Sequence, residues 1–80
     1  MDTITVIKEY ITQELLQRNV VLTHQTALIA EGYLTSLQTV ELVLFLNERF
    51  NIEIDPEEVS EEAFYSLERI ADLVARKKAA

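Results

Sequence analysis

One glycine and one proline in 80 residues, Gly32 and Pro56, leave the chain almost without the residues that turn one strand into the next. A sheet of many short strands is therefore disfavoured, and helices are expected. The length allows a single domain, residues 1–80, and a 49% hydrophobic content gives it a small core. There is no cysteine and only one histidine, His24. A thiolate nucleophile, a disulfide and a multi-histidine zinc site are thus excluded within one chain.

Hydrophobic spacing divides the chain into helices. Ile4, Ile7, Ile11 and Leu15, widened by Val6 and Tyr10, form a stripe over a first helix from about Thr3 to Arg18. Asp2 or Thr3 is its candidate cap and Asn19 its stop. From Val20 to Thr35 the periodicity disappears although apolar residues persist, so a long, packed-down loop is expected. Gly32 in that loop suits a positive φ or a close backbone approach. The second helix, from Thr35 or Ser36 to about Phe50, carries two apolar lines. Leu37, Val40 and Leu44 make one, and Leu42, Val43, Leu46 and Phe50 the other. So small a domain cannot bury both, so one line is expected to meet a ligand or partner. Asp55-Pro56-Glu57-Glu58 reads as the start of a short third helix. Ser66 then caps a last helix with Leu67, Ile70, Leu73 and Val74 as its buried stripe. Tyr33, Phe45, Phe64 and Tyr65 read as packing residues. The expected fold is all-α, a small four-helix bundle with a long loop between helices 1 and 2 and a short third helix.

Charge bears on partners. The net charge is −7, and the segment from Glu41 to Glu68 alone carries nine acids against Arg49. Such a surface repels nucleic-acid phosphates and draws the protein toward basic surfaces. The acidic face is either a solubilising surface or a docking face for a basic partner. No apolar run approaches the ~20 residues that cross a bilayer, and the start lacks a basic signal-peptide segment. A cytoplasmic monomer without membrane association is the simplest expectation.

Few residues are placed for chemistry. Asn51, Glu53, Asp55, Glu57 and Glu62 occupy calcium-loop positions, but Pro56 stands where that loop needs glycine. Nothing in the spacing of Ser36, His24 and the carboxylates supports a Ser–His–acid site. The chain therefore reads as non-enzymatic. Ser36 remains, at a helix N-terminus whose free N–H groups and dipole favour a phosphate ester on its hydroxyl.

The stretch from Glu31 to Leu37, EGYLTSL, followed by QTVELVLFLNERFNIEI, resembles the acyl carrier proteins. Gly32, Ser36, Leu37, Val40, Glu41, Leu42 and Phe50 match the family pattern, as does Ile54-Asp55-Pro56-Glu57-Glu58. The resemblance covers nearly the whole chain in length and helix order. It implies that Ser36 receives 4′-phosphopantetheine from coenzyme A through a phosphopantetheinyl transferase, making the chain a phosphoprotein. The arm then holds an acyl or aminoacyl group as a thioester. It further implies a partner-facing surface of Thr35, Leu37, Val40, Glu41, Leu44 and Glu48, read by an acyl- or aminoacyl-activating enzyme and by acyltransferases or synthases with basic docking surfaces. The pathway would be specialised or of fatty-acid or polyketide type. The apolar space beside the second helix would be able to shelter a nonpolar chain. Thr35 departs from the aspartate usual before the serine and removes a negative charge. Gln38 is likewise neutral. The alternative from another class is an unmodified acidic helical adaptor that binds a partner through the second helix.

Overall fold

The computed structural model describes residues 2–17 and 20–79, and within them the protein is all-helical. Helix α1 spans Thr3–Tyr10 and runs on into a π turn at Ile11–Leu15. The wider turn is closed by the Leu16 N–H donating to the Ile11 carbonyl at 2.8 Å. Asp2 holds the N-cap position without a side-chain cap bond, so neither candidate cap acts as one. The helical stretch stops at Leu15 and Gln17 takes a left-handed φ of 53°, so the helix ends short of the expected Arg18; Arg18 and Asn19 themselves lie outside the described residues. Helix α2 spans Ser36–Phe50 and α3 spans Leu67–Ala79.

The short third helix expected after Pro56 is a single 3₁₀ turn, Pro56–Glu58. The described residues therefore hold three α-helices rather than the four expected. The Asp-Pro start is present, but Val59 is the only apolar side chain nearby. Without an apolar stripe to bury, a few residues cannot offset the cost of helix nucleation. Glu58 closes this turn by accepting the Asp55 N–H on Oε1 at 3.0 Å. The same oxygen accepts from Lys77 Nζ at 2.8 Å, which ties the turn to the end of α3.

Burial follows the stripes. Val6, Ile7 and Ile11 of the first helix enter the core, and Leu67, Ile70, Leu73 and Val74 of α3 are buried as a set. Each fully buried Leu or Ile contributes on the order of 1.5–3 kcal/mol. Helix α1 packs on α3, and α2 also contacts α3. Tyr10 and Phe45 join α1 to α2 by stacking, with centroids 3.9 Å apart and planes 8° apart. Desolvation holds the Tyr10 hydroxyl pKa above its ordinary value, and the nearby Glu41 and Glu14 carboxylates add to the effect. Phe64 is fully buried, whereas Tyr65, expected in the packing, is 43% exposed.

The long loop is packed down, as its apolar content implied. Leu22, Leu28 and Leu34 are buried. The Leu28 N–H donates to the Tyr65 carbonyl at 2.8 Å, and the Glu68 N–H donates to the His24 carbonyl at 3.1 Å. Two backbone hydrogen bonds thus pin the loop to the start of α3. Gly32 has φ 82°, and a Cβ there would meet nothing within 4 Å. Its requirement is conformational, not a close approach. Ser66 caps α3 by accepting the Arg69 N–H at 3.3 Å.

The Glu58–Lys77 pair makes stability depend on pH. The Lys77 hydrogen bond, helped by the Asp55 N–H, holds the Glu58 carboxyl below its ordinary 4.5. The same bond raises Lys77 above 10.5. Glu58 thus stabilises fully above about pH 4.5, and this contribution is lost as pH falls through its depressed value. Lys77 contributes below 10.5 and loses its share as pH rises through its raised value. The Tm gap between wild type and Glu58→Gln is expected to be widest near neutral pH and to close in acid. A gap constant from neutral pH to pH 3 would remove the pair from the account.

Candidate functional site

The first turn of α2 is built by Thr35 and Gln38. The Gln38 N–H donates to Thr35 Oγ1 at 3.2 Å, and the Thr35 N–H donates back to Gln38 Oε1 at 3.1 Å. This reciprocal capping box satisfies two backbone donors at once. Gln38 Nε2 also donates to the Leu15 carbonyl at 3.3 Å, which fastens α2 to the π turn that ends the first helix. Thr35 and Gln38 are therefore partners in one neutral structural unit. The spacing Thr-x-x-Gln carries that signal in the sequence.

Because Thr35 supplies the cap, Ser36 is left as the first helical residue, with its side chain exposed. Its hydroxyl stands outside the capping box. An ester on that oxygen would sit beside the positive end of the α2 dipole and would not cost the helix its cap. Thr39, one turn on, is buried and donates its hydroxyl to the Thr35 carbonyl at 2.9 Å.

The two apolar lines of α2 separate as expected. Leu42 and Leu46 are fully buried, with Val43 and Phe50 partly so. Leu37, Val40 and Leu44 are 69%, 53% and 63% exposed, which places one apolar line on the surface. Glu41 and Glu48 are exposed on the same helix. Thr35, Ser36, Leu37, Val40, Glu41, Leu44 and Glu48 are thus all accessible, and all lie on α2 or at its cap.

A cleft of about 350 Å³ opens beside Ser36, between the start of α2 and residues 59–61. Ile29, Val40 and Val59 supply apolar wall, while Thr35, Thr39, Ser60 and Glu61 supply polar groups. Ser60 fixes the far wall: its hydroxyl accepts the Ala63 N–H at 3.0 Å, and its carbonyl accepts the Phe64 N–H at 3.0 Å. Leu28, Leu42, Leu46, Phe64, Leu67 and Ile70 form one cluster with no exposed surface. Residues 59–61 are a part of the site that sequence reasoning did not reach, because nothing local in Val-Ser-Glu marks proximity to a serine 24 positions earlier.

Among the described residues no helix is long and apolar enough to cross a membrane, and no three His, Asp or Glu side chains converge as metal ligands. The carboxylates that suggested a calcium loop are divided by the 3₁₀ turn at Pro56. No family model matches the chain, and a search of curated proteins returns no match.

Proposed function

We propose that the protein is a non-enzymatic carrier in which Ser36 bears 4′-phosphopantetheine. The observation that carries this reading is an exposed serine hydroxyl at the first turn of α2, freed from capping by the Thr35–Gln38 box. The sequence resemblance from Gly32 to Glu58 supports it, as does the cleft that opens beside the same residue. When attached, the arm supplies the thiol that this cysteine-free chain lacks and carries an acyl or aminoacyl group as a thioester. In the attachment step Ser36 Oγ bonds to the pantetheine-bearing phosphorus of coenzyme A. The serine proton is released, and 3′,5′-adenosine bisphosphate leaves.

The fold this reading assumes is a small carrier-type bundle whose third helix has shrunk to the turn at Pro56. The exposed Leu37, Val40 and Leu44, with Thr35, Glu41 and Glu48, would form the docking face. Their partners would be the transferase, the acyl- or aminoacyl-activating enzyme, and synthases or acyltransferases with basic surfaces in the cytoplasm. Screened charge between such faces raises encounter rates without locking the complex, which suits a protein visiting several enzymes. An exposed apolar line of this kind also fits the adaptor reading, so the test must read the serine.

That test is intact mass before and after incubation with coenzyme A and a broad-specificity phosphopantetheinyl transferase. A gain of one phosphopantetheine group is expected. No gain, in wild type and in Thr35→Asp alike, would favour an unmodified adaptor. Thr35→Asp keeps a good cap and restores a negative charge beside Ser36. It is expected to raise kcat/KM for modification severalfold with Tm nearly unchanged. Equal rates for the two proteins would show that the missing charge does not matter to the transferase.

A further inference from the structure

Ser36 lies between the two partners of the capping box, and one of them reaches beyond its own helix. Gln38 Nε2 donates to the Leu15 carbonyl at 3.3 Å, 23 residues earlier in the chain. That carbonyl belongs to the last turn of the first helix, where carbonyls run out of helical N–H groups to accept from. Gln17, two residues on, takes a left-handed φ of 53°, so the helical path breaks off there. Gln38 and Leu15 are both half-buried, which raises the need for a protein partner.

The chemistry at position 38 is fixed from both sides. The Thr35 N–H can only donate and the Leu15 carbonyl can only accept, so the side chain between them must end in one acceptor and one donor. A glutamine amide has both, and the fixed polarity of the two backbone groups settles which way it points. A glutamate, ionised at neutral pH, would accept from Thr35 but turn a second acceptor toward Leu15. Glutamate closes a capping box as well as glutamine does, so the box alone does not call for an amide. The long-range bond does.

We infer that Gln38 is a positioning residue for the loading of Ser36: its amide joins the turn that carries the serine to the end of the first helix and so fixes where the Ser36 hydroxyl stands. The inference rests on the carrier reading of Ser36. Gln38 does not touch the reacting atoms. It acts through the first turn of α2, which is closed on itself by the box and held from outside at Leu15. The coenzyme A phosphate then meets a hydroxyl already in place, and the cost of ordering it is not added to the barrier.

Two single variants separate the join from the box and from charge. Gln38→Glu keeps the box, loses the bond to Leu15 and adds a negative charge. Gln38→Met is neutral and loses both side-chain bonds. Loading by a broad-specificity phosphopantetheinyl transferase is followed by intact mass, well below the Tm of each protein so that all are folded. Both variants are expected to lower kcat by ~10- to ~100-fold, the upper figure being the effect of a misplacement of about 1 Å. KM is expected to fall only in Gln38→Glu, where a basic enzyme surface gains an acid to read. Amide hydrogen exchange reads the join without the transferase: the Leu16 N–H, which closes the π turn on Ile11, is expected to exchange severalfold faster in both variants. A fall in kcat for Gln38→Met alone would show that the box suffices, and a fall for Gln38→Glu alone would show an effect of charge. Either result, unchanged kcat in both, or wild-type exchange at Leu16 in both overturns the inference. If wild-type Ser36 takes up no arm, the carrier reading fails and the positioning role falls with it. The Leu16 amide still reports whether the join exists, so that failure is told apart from an absent join.

Discussion

Ser36→Ala is expected to abolish phosphopantetheine uptake completely while leaving the fold almost untouched. The second half of that expectation comes from the cap. Because Thr35 accepts the Gln38 N–H and Gln38 answers on the Thr35 N–H, removing the Ser36 hydroxyl takes nothing from the helix terminus. A change within about 0.5 kcal/mol, the range of ordinary surface substitutions, is expected for Ser36→Ala. Thr35→Ala, by contrast, should cost about 1 kcal/mol, as loss of a cap does. The pair can be compared by urea denaturation alongside intact mass. Loss of loading together with a large loss of helicity in Ser36→Ala would make the serine structural. Retained loading would place the modification elsewhere.

The second large effect concerns two leucines two residues apart. Leu46→Ala is expected to destabilise by about 2–5 kcal/mol, because Leu46 is fully buried in the central cluster and its loss leaves a cavity. In a domain this small, whose total stability lies near the lower end of the ~5–15 kcal/mol range, that loss takes the protein close to its unfolding midpoint. Leu44→Ala is expected to stay within about 0.5 kcal/mol, since Leu44 is 63% exposed. If Leu44 belongs to a docking face, its substitution should weaken partner binding instead. Equal destabilisation by the two variants, measured by urea midpoint, would mean that both apolar lines of α2 are packed and that no apolar docking face exists.

These contrasts show how far the chain could be read before its structure. The stripe Leu67, Ile70, Leu73, Val74 appears as a helical face and is the buried face of α3. The surplus of apolar residues on α2 signals that one of its two lines lies outside the core, and the structure shows that line to be Leu37, Val40 and Leu44. The left-handed conformation at Gly32 follows from its being the only residue in that loop without a Cβ. At Pro56 the start signal is local and present, but a helix also needs a face to bury, and Val59 alone does not provide one, so the segment forms only a 3₁₀ turn.

The candidate site divides in the same way. The start of α2 at Thr35 or Ser36 and its two apolar lines could be read from residues within a few turns of one another, since capping preference and amphipathic spacing are set by neighbours in the chain, whereas the choice of Ser36 as a site and of the outer line as a docking face came from the family resemblance. The bond from Gln38 to Leu15, the meeting of α2 and α3 in one buried cluster, and the wall that Val59, Ser60 and Glu61 build opposite Ser36 are of another kind. Each depends on segments more than 20 residues apart meeting at a particular angle and depth. Hydrophobic periodicity says which side of a helix turns inward, but not which partner it meets there or how much room the meeting leaves. That room, settled when the whole core packs, is what makes the neighbourhood of Ser36 a small, open surface cleft.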